Sequence, residues 1–179
     1  YTDTKQTLAT PAVQSKTQLD PDIFRAYDIR GVVETSLTPT AVYWIGRAFA
    51  AEALSQGQRS AVVAGDGRNS TPSLCRSLAK GLNEGGINVI DIGMVPTPLL
   101  YYATHRIDEP ELAGTQSPVG TGIMITGSHN PPEYNGLKMM IGGTTLAGEA
   151  IQRLRQRVAD KNLSDGVGNY RETKIIEEY

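Results

Sequence analysis

Short β-favouring runs alternate with helical patterns along this chain, and this alternation is what most constrains its fold. Ser60 to Ala64 is a short β-branched run, and Ile87 to Ile92 alternates apolar with polar residues. Ile123 to Ile125 is an apolar run too short for a helix. Helical patterns lie between these runs. Strands that alternate with helices pack as a sheet covered by helices. We therefore predict an α/β fold with a helix-flanked, mixed but mostly parallel sheet, in three α/β/α layers.

The helical patterns have recognisable starts and stops. Three segments place apolar residues at helical spacing, and a fourth is compatible with a further short helix. The predicted helices are Thr38 to Gly57, Thr71 to Gly85, Pro98 to His105 and Gly148 to Ala159. Cys75 lies beside the leucine stripe of the second helix, so we expect an inert, buried thiol.

Two connections carry further signals. Asp108 to Val119 contains two prolines, several acids and no periodicity, so we expect an exposed loop. Gly142-Gly143, flanked by Gly136 to Ile141 and Thr144 to Leu146, predicts a hairpin and hence an antiparallel strand in the sheet.

Composition excludes several classes of protein. The 179 residues suit one substantial core, and the net charge of −2 offers no basic surface for nucleic acid. No apolar run approaches the roughly 20 residues that span a bilayer, so we expect no membrane contact. The single cysteine excludes an internal disulfide and fits a cytoplasmic protein. Because the first residue is Tyr1, we expect the numbered chain to begin inside a longer translation product.

The segment from Gly122 to Lys138 presents one serine on a braced loop. Ser128 follows the apolar run, Gly127 permits positive φ, and two prolines at 131 and 132 forbid a helix. In open α/β sheets the carboxyl ends of strands are where ligands bind. A serine hydroxyl needs a neighbour to activate it, and His129 and Lys138 are the candidates. We also expect the backbone N–H groups of the loop to form an anion-binding concavity.

Gly122 to Pro131 resembles the phosphoserine signature of the α-D-phosphohexomutase family, without an identifiable mismatch. The extension from Pro132 to Lys138 is similar to the bacterial phosphomannomutase/phosphoglucomutase branch, as is Ile23 to Gly31. Further similarity runs through Gly65 to Arg68 and Gly93 to Pro98, so the resemblance covers residues 21 to 179.

The resemblance implies a phosphohexose mutase of the isomerase class. An enzyme phosphoserine would donate its phosphoryl group to a mannose or glucose phosphate, and a hexose 1,6-bisphosphate would reorient before returning the other group. Ser128 would be both donor and acceptor. The cofactor implied is Mg²⁺, held in the family by a phosphoserine oxygen and three aspartates of an Asp-x-Asp-x-Asp loop. That loop is not in this sequence, so Ser128 is the one metal contact we expect here, through its phosphate.

The same resemblance suggests roles for other residues near the serine. Each has an ordinary alternative: His129 transfers a proton or only orients the loop, and Lys138 binds phosphate or is a solvated lysine. The expected phosphate- and substrate-binding residues are Tyr27, Arg30, Asn130 and Lys138, and the expected catalytic residues are Ser128, His129 and Lys138. Arg30 alternatively pairs only with Asp28.

Asp66 and Arg68 have two readings that the sequence leaves open. They either close a tight turn or support the serine loop.

The domain boundaries that we expect are a flexible arm at 1–20, phosphohexomutase domain I at 21–160 and a linker at 161–179. The family's sugar-recognition and carboxyl-terminal phosphate-binding segments are absent, so the partners of this chain would be the remaining domains of the same polypeptide. We expect the isolated chain to be inactive or nearly so. The alternative is a non-catalytic phosphosugar-binding or interaction module with the same fold.

Overall fold

A seven-stranded sheet forms the centre of the molecule, and its strands follow the order β1-β5-β4-β2-β3-β7, with β6 paired to β5. The computed structural model describes residues 18–110 and 117–175. The strands are β1 Ile29–Val32, β2 Ser60–Gly65, β3 Asn88–Met94, β4 Gly122–Ile125, β5 Tyr134–Ile141, β6 Thr144–Thr145 and β7 Tyr170–Glu172. The helices are α1 Pro39–Ser55, α2 Thr71–Glu84, α3 Thr97–Arg106 and α4 Glu149–Ala159, and a 3-10 turn spans Pro21–Ile23.

The sheet has a parallel and an antiparallel part. β4, β2, β3 and β7 run parallel to one another. β5 runs antiparallel to β1, β4 and β6. The helix-flanked mixed sheet predicted from the sequence is confirmed. Among the described strands three pairings are parallel and three are antiparallel, the latter all involving β5, so the sheet is less parallel than expected.

Helices cover both faces of the sheet. Helices α1, α2 and α4 pack on one face through residues such as Phe49, Leu78 and Leu154, while α3 packs on the other through Leu100. Strand β2 is buried on both sides because Val63 faces the first group and Val62 the second. Burial on both faces explains why this strand is a continuous apolar run.

Two glycines let α1 and α2 approach each other closely. A Cβ added to Gly81 would lie 2.2 Å from the carbonyl oxygen of Tyr43, and one added to Gly46 would lie 2.9 Å from that of Leu78. Both obstacles are backbone atoms, which cannot move aside as a flexible side chain does.

The segment between α3 and β4 differs from the exposed loop predicted for 108–119. Residues 111–116 of that prediction lie outside the described part of the chain. At the ends of the segment, Val119 is in the α3-side core, and buried Glu109 accepts a hydrogen bond from Ser60 Oγ. The prediction is wrong for these two positions. Val119 packs its apolar side chain into the core. Glu109 can be buried because the Ser60 hydroxyl gives its carboxylate a hydrogen bond that compensates for the burial.

The expected linker at 161–179 contains β7, which pairs with β3 at the edge of the sheet. Hydrogen bonds tie the preceding turn to the helical layer: Arg47 Nη2 donates to the carbonyl of Ser164 at 2.9 Å, and Asn83 Nδ2 to that of Asn169 at 2.9 Å. Most of the arm expected at 1–20 lies outside the described residues, as do 176–179.

Candidate functional site

Ser128 lies on the loop that joins β4 to β5, at the carboxyl end of β4. Its side chain is exposed and its backbone has a φ of 50°, a left-handed conformation that is uncommon outside glycine. Its N–H group donates to Thr126 Oγ1 at 3.1 Å. Left-handed backbone costs an L-residue roughly 1–2 kcal/mol, so the surrounding structure must hold this conformation in place.

Arg68 supplies much of that support by binding four carbonyl oxygens of the loop. Its Nη1 donates to Pro131 at 2.6 Å and to Tyr134 at 3.1 Å. Its Nη2 donates to Asn130 at 2.7 Å and to Ser128 at 3.2 Å. Hydrogen bonds from a charged donor are stronger than neutral ones. Both readings that the sequence left open hold, because these contacts support the serine loop and the N–H of Arg68 also donates to Asp66 Oδ1 across the tight turn.

Asp66 holds the other side of the loop. Its Oδ2 accepts the N–H of Gly127 at 2.9 Å, and its Oδ1 accepts Thr71 Oγ1 at 2.7 Å and the N–H of Arg68 at 3.1 Å. Burial alone raises the pKa of this carboxyl, but the hydrogen bonds it accepts outweigh burial and leave the pKa below its ordinary value. Asp66 is therefore an anion at neutral pH, and it forms an ion pair with Arg68 Nε at 3.5 Å.

Asn135 is a buried polar residue that the sequence analysis missed. Its Nδ2 donates to Ser70 Oγ at 2.9 Å and to Thr71 Oγ1 at 3.1 Å, and its Oδ1 accepts the N–H of Gly136 at 2.9 Å. It thereby joins the start of β5 to the start of α2. An asparagine at the start of a predominantly apolar strand was the signal available in the sequence.

Gly127 serves a different purpose from the one predicted. It is not among the residues with positive φ, a conformation that Ser128 adopts instead. A Cβ at position 127 would lie 2.0 Å from Arg68 Cζ, so the guanidinium group packs directly against the glycine. The expectation of positive φ at Gly127 was wrong, and close approach of Arg68 is the physical reason for glycine here.

The predicted concavity of free N–H groups does not form. The N–H groups of Thr126, Gly127, Ser128 and Asn130 all have acceptors within the protein. Among the described residues of this loop, His129 and Glu133 keep a backbone N–H without a hydrogen-bond acceptor. Asn130 also donates its side-chain Nδ2 to the carbonyl of Gly127 at 2.9 Å, so this amide helps to shape the loop.

Two cations lie together on the face of the sheet that β5 shares with β1. Arg30 is opposite Gly136 in the register of the two strands, and Lys138 is two residues further along β5. Diagonal neighbours of this kind are about 7–8 Å apart. Lys138 has no hydrogen-bond or ion-pair partner among the described residues, whereas Arg30 Nε lies 3.5 Å from Asp28 Oδ1 with 42% of the side chain exposed.

Comparisons with known proteins identify the family of this chain. Residues 21–165 match a family model described as phosphoglucomutase/phosphomannomutase, alpha/beta/alpha domain I. The chain belongs to the phosphoglucomutase/phosphomannomutase family.

Relatives from several bacteria are similar over most of this chain. A phosphomannomutase/phosphoglucomutase from Pseudomonas aeruginosa is 47% identical over 161 residues, which is 90% of this chain and 33% of the relative. A Neisseria meningitidis phosphoglucomutase is 49% identical over 160 residues, covering 88% of this chain and 33% of the relative. This chain thus spans about a third of the length of the relatives it matches.

A solved structure shows the same fold. The crystal structure of a phosphoglucomutase/phosphomannomutase family protein from Burkholderia thailandensis superposes with a TM-score of 0.84 at 43% identity. The match covers 90% of this chain and 35% of that one.

The remaining residues expected at the site of this family member lie on the surface. Tyr27, with 80% of its area exposed, precedes β1, and His129 is also exposed. Neither side chain has a hydrogen-bond or ion-pair partner within the described residues. Both are therefore free to contact a ligand, but no group in the described part of the chain orients either of them.

The described residues of this family member do not form a magnesium site by themselves. No group of three or more His, Cys, Asp or Glu side chains within residues 18–110 and 117–175 has the arrangement of a metal centre. Ser128 would contribute a single ligand when phosphorylated, and Mg²⁺ usually has six.

Two further expectations concern the thiol and the membrane. Cys75 is only partly buried rather than fully buried as expected, but desolvation still raises the pKa of its thiol to about 12, which agrees with an inert cysteine. Across the described residues, each helix is too short or too polar to cross a bilayer.

Proposed function

We propose that this chain is the phosphoserine-bearing domain I of a phosphohexomutase that interconverts hexose 1-phosphates and hexose 6-phosphates. The observation that carries the proposal is the geometry of Ser128. The hydroxyl is exposed and has no hydrogen-bond partner among the described residues, yet both peptide groups flanking it are held by hydrogen bonds. A group that must both give and receive a phosphoryl group needs this combination of access and fixed position.

The chemistry proceeds as two transfers in opposite directions. A hydroxyl oxygen of the bound hexose phosphate attacks the phosphorus of phosphoserine, the bond between phosphorus and Ser128 Oγ breaks, and the proton lost by the sugar hydroxyl is balanced by one taken up by Ser128 Oγ. After the bisphosphate reorients, Ser128 Oγ attacks the other phosphoryl group and loses this proton, and the sugar oxygen leaves and becomes a hydroxyl. Splitting the isomerisation in this way makes each step a single in-line displacement.

The cations on β1 and β5 suit the charge of this reaction. A phosphoserine carries about −1.5 to −2 charges at neutral pH, and a compact ammonium group such as that of Lys138 attracts it without a fixed geometry. Arg30 and Tyr27 would contact the phosphate of the substrate. His129 follows the serine directly in sequence, and it would either orient the loop or carry a proton.

The proposal assigns the remaining functions to parts outside this chain. Mg²⁺ and the hexose 1,6-bisphosphate would be bound with ligands from further domains, because the described residues contain no group of three or more His, Cys, Asp or Glu side chains that could hold a metal ion. Relatives about three times as long support the presence of such domains. Mannose or glucose phosphates are the proposed substrates and the cytoplasm the proposed compartment.

A mutase assay tests the proposal. The 179-residue chain alone should give no turnover of glucose 1-phosphate with Mg²⁺ and glucose 1,6-bisphosphate. A chimaera in which this chain replaces the matching third of the Pseudomonas aeruginosa relative should be active. Ser128→Ala should lower its kcat at least 1,000-fold, whereas Ser77→Ala on α2 should leave kcat within twofold.

Intact mass gives an independent readout. The chimaera should gain about 80 Da after incubation with the bisphosphate, and the Ser128→Ala variant should not. Equal activity with and without Ser128 would disprove the carrier role. Robust turnover by the 179-residue chain would instead disprove its dependence on other domains. Sugar-phosphate binding without any mass gain would favour the non-catalytic module.

A further inference from the structure

We propose that Arg68 is the positioning residue that fixes Ser128 for phosphoryl transfer. This inference rests on the proposed function for its catalytic consequence, but its structural part stands on the contacts of the guanidinium group. Four carbonyl oxygens from a stretch of seven residues converge on its two terminal nitrogens. The Ser128 carbonyl is one of the four, so Arg68 acts on the reacting residue through its backbone.

The direction of the Ser128 side chain follows from this arrangement. Its N–H is held by Thr126 Oγ1 and its carbonyl by Arg68 Nη2, so the peptide planes on both sides of the Cα are fixed. Once φ and ψ are fixed, the Cα–Cβ bond points in one direction, and the hydroxyl oxygen is limited to the staggered rotamers of one bond. Releasing the carbonyl would let the left-handed φ of 50° relax, because that conformation is unfavourable for serine.

The requirement is specific for arginine. A guanidinium group is planar and presents its donors in a rigid fork, whereas a lysine ammonium is a single point on a flexible stem. The flat group also lies against Gly127, where a Cβ would be only 2.0 Å from Arg68 Cζ. Gly127 and Arg68 are thus complementary: the glycine provides the space and the arginine fills it.

Arg68 is not available to neutralise the phosphate. Both terminal nitrogens donate to loop carbonyls, and Nε lies 3.5 Å from Asp66 Oδ2. The side chain is only 18% exposed. We therefore expect its loss to reduce kcat by displacing Ser128, with little effect on the KM of the sugar phosphate. Misplacement of a reacting group by about 1 Å can cost 100-fold in rate.

The first experiment measures kinetics in the chimaera described above. Arg68→Ala and Arg68→Lys should each lower kcat about 100-fold, with the KM for glucose 1-phosphate within threefold of the parent. Guanidinium chloride at non-denaturing, millimolar concentration should restore part of the kcat of Arg68→Ala but not of Arg68→Lys. The matched control, Arg155→Ala on α4, should show neither the loss nor the rescue. An increase in KM with kcat retained would overturn the proposal, because it would show that Arg68 binds the substrate rather than positioning Ser128.

The second experiment does not depend on catalysis. In the 179-residue chain, the amide hydrogens of Gly127 and Asn130 should exchange at least 10-fold faster in Arg68→Lys than in the parent, while those of β2 and β4 keep their protection. Loop amides that exchange at the parental rate would overturn the inference whether or not the chimaera is active. A chimaera that lacks activity with Arg68 intact would count against the proposed function alone. If Arg68→Ala does not fold, the lysine variant decides the question.

Discussion

At the scale of single residues, Ser128 shows how this protein stabilises an unfavourable backbone at the position that carries chemistry. The serine has positive φ although glycine stands immediately before it. The support comes from Arg68, whose side chain contacts the loop from a position 60 residues away in sequence. Strain of this kind is found where surrounding contacts over-determine a conformation.

A pair of substitutions at Ser128 tests whether the strain is real. Ser128→Gly should be more stable than Ser128→Ala by about 1 kcal/mol in the free energy of unfolding, because glycine adopts left-handed backbone without a steric cost. Urea denaturation of the 179-residue chain measures the difference. Lys161, the other described non-glycine residue with positive φ, provides the control. The Lys161→Gly variant should also be more stable than the Lys161→Ala variant. If the glycine and alanine variants are equally stable at both positions, neither backbone is strained.

The sequence was sufficient to locate the serine loop but not to explain it. Ser128 and its flanking glycine and prolines form a local pattern, which can be read without the fold. The roles of Arg68 and Asn135 depend on side chains that meet across the start of α2 and the loop, and no local pattern encodes that meeting. The need for glycine at position 127 could not be predicted for the same reason, because it depends on the guanidinium group of Arg68, which is distant in sequence.

At the scale of elements, the contact between α1 and α2 depends on missing side chains. Glycine in the middle of a helix is normally unfavourable by about 1 kcal/mol relative to alanine. Gly81 is nevertheless placed where its Cα meets the backbone of α1. Close packing of the two helices has therefore outweighed helix propensity at this position.

Gly81→Ala makes the two effects compete. Propensity alone predicts stabilisation, whereas the 2.2 Å approach to the Tyr43 carbonyl oxygen predicts overpacking. We expect the overpacking to win and to lower the free energy of unfolding by about 2 kcal/mol. Ser77→Ala, one turn earlier on the same helix, should be neutral or slightly stabilising. The measurement is chemical denaturation, and a stabilised Gly81→Ala would mean that the helices are further apart than described.

The elements that sequence patterns failed to predict are short edge strands. β1 has four residues, and β7 consists of Tyr170, Arg171 and Glu172, all of which are exposed. Alternation cannot be recognised in so few residues, and an exposed strand has no apolar face to encode. β4 also has only four residues, but it was predictable because all four are buried and three of them form an apolar run.

At the scale of the whole molecule, one buried carboxylate connects the early and late parts of the chain. Glu52 on α1 accepts Arg157 Nε at 2.7 Å and Arg153 Nε at 3.4 Å, both from α4. Burial raises the pKa of Glu52, but the two arginines and Gln56 outweigh burial and leave it below the ordinary value of 4.5. A lowered folded-state pKa means that ionisation of Glu52 stabilises the fold.

This linkage predicts a pH dependence with a defined sign. The contribution of Glu52 should be fully present above about pH 4.5, the ordinary value of an unfolded glutamate. It should be lost as the pH falls through the lower pKa of the folded state. Glu52→Gln should therefore lower the free energy of unfolding by about 2 kcal/mol at pH 7, and this difference should shrink in acid.

Urea denaturation at a series of pH values checks the prediction. Glu34→Gln is the matched control, because Glu34 is exposed and has no ion-pair partner among the described residues. It should differ from the parent by less than about 0.5 kcal/mol. A gap between Glu52→Gln and the parent that stays constant from pH 7 to pH 3 would refute the role of ionisation.

The order of the strands also limits how the chain connectivity of this domain can be changed. β1 and β7 are the two ends of the path through six hydrogen-bonded strands, so they lie about 24 Å apart at the usual spacing between strands. A circularly permuted version would need a connector of roughly eight extended residues to cross that distance. Inserting the domain into a host protein would likewise require two well-separated attachment points. The domain is thus suited to lie in series along a polypeptide, entered at one edge of its sheet and left at the other.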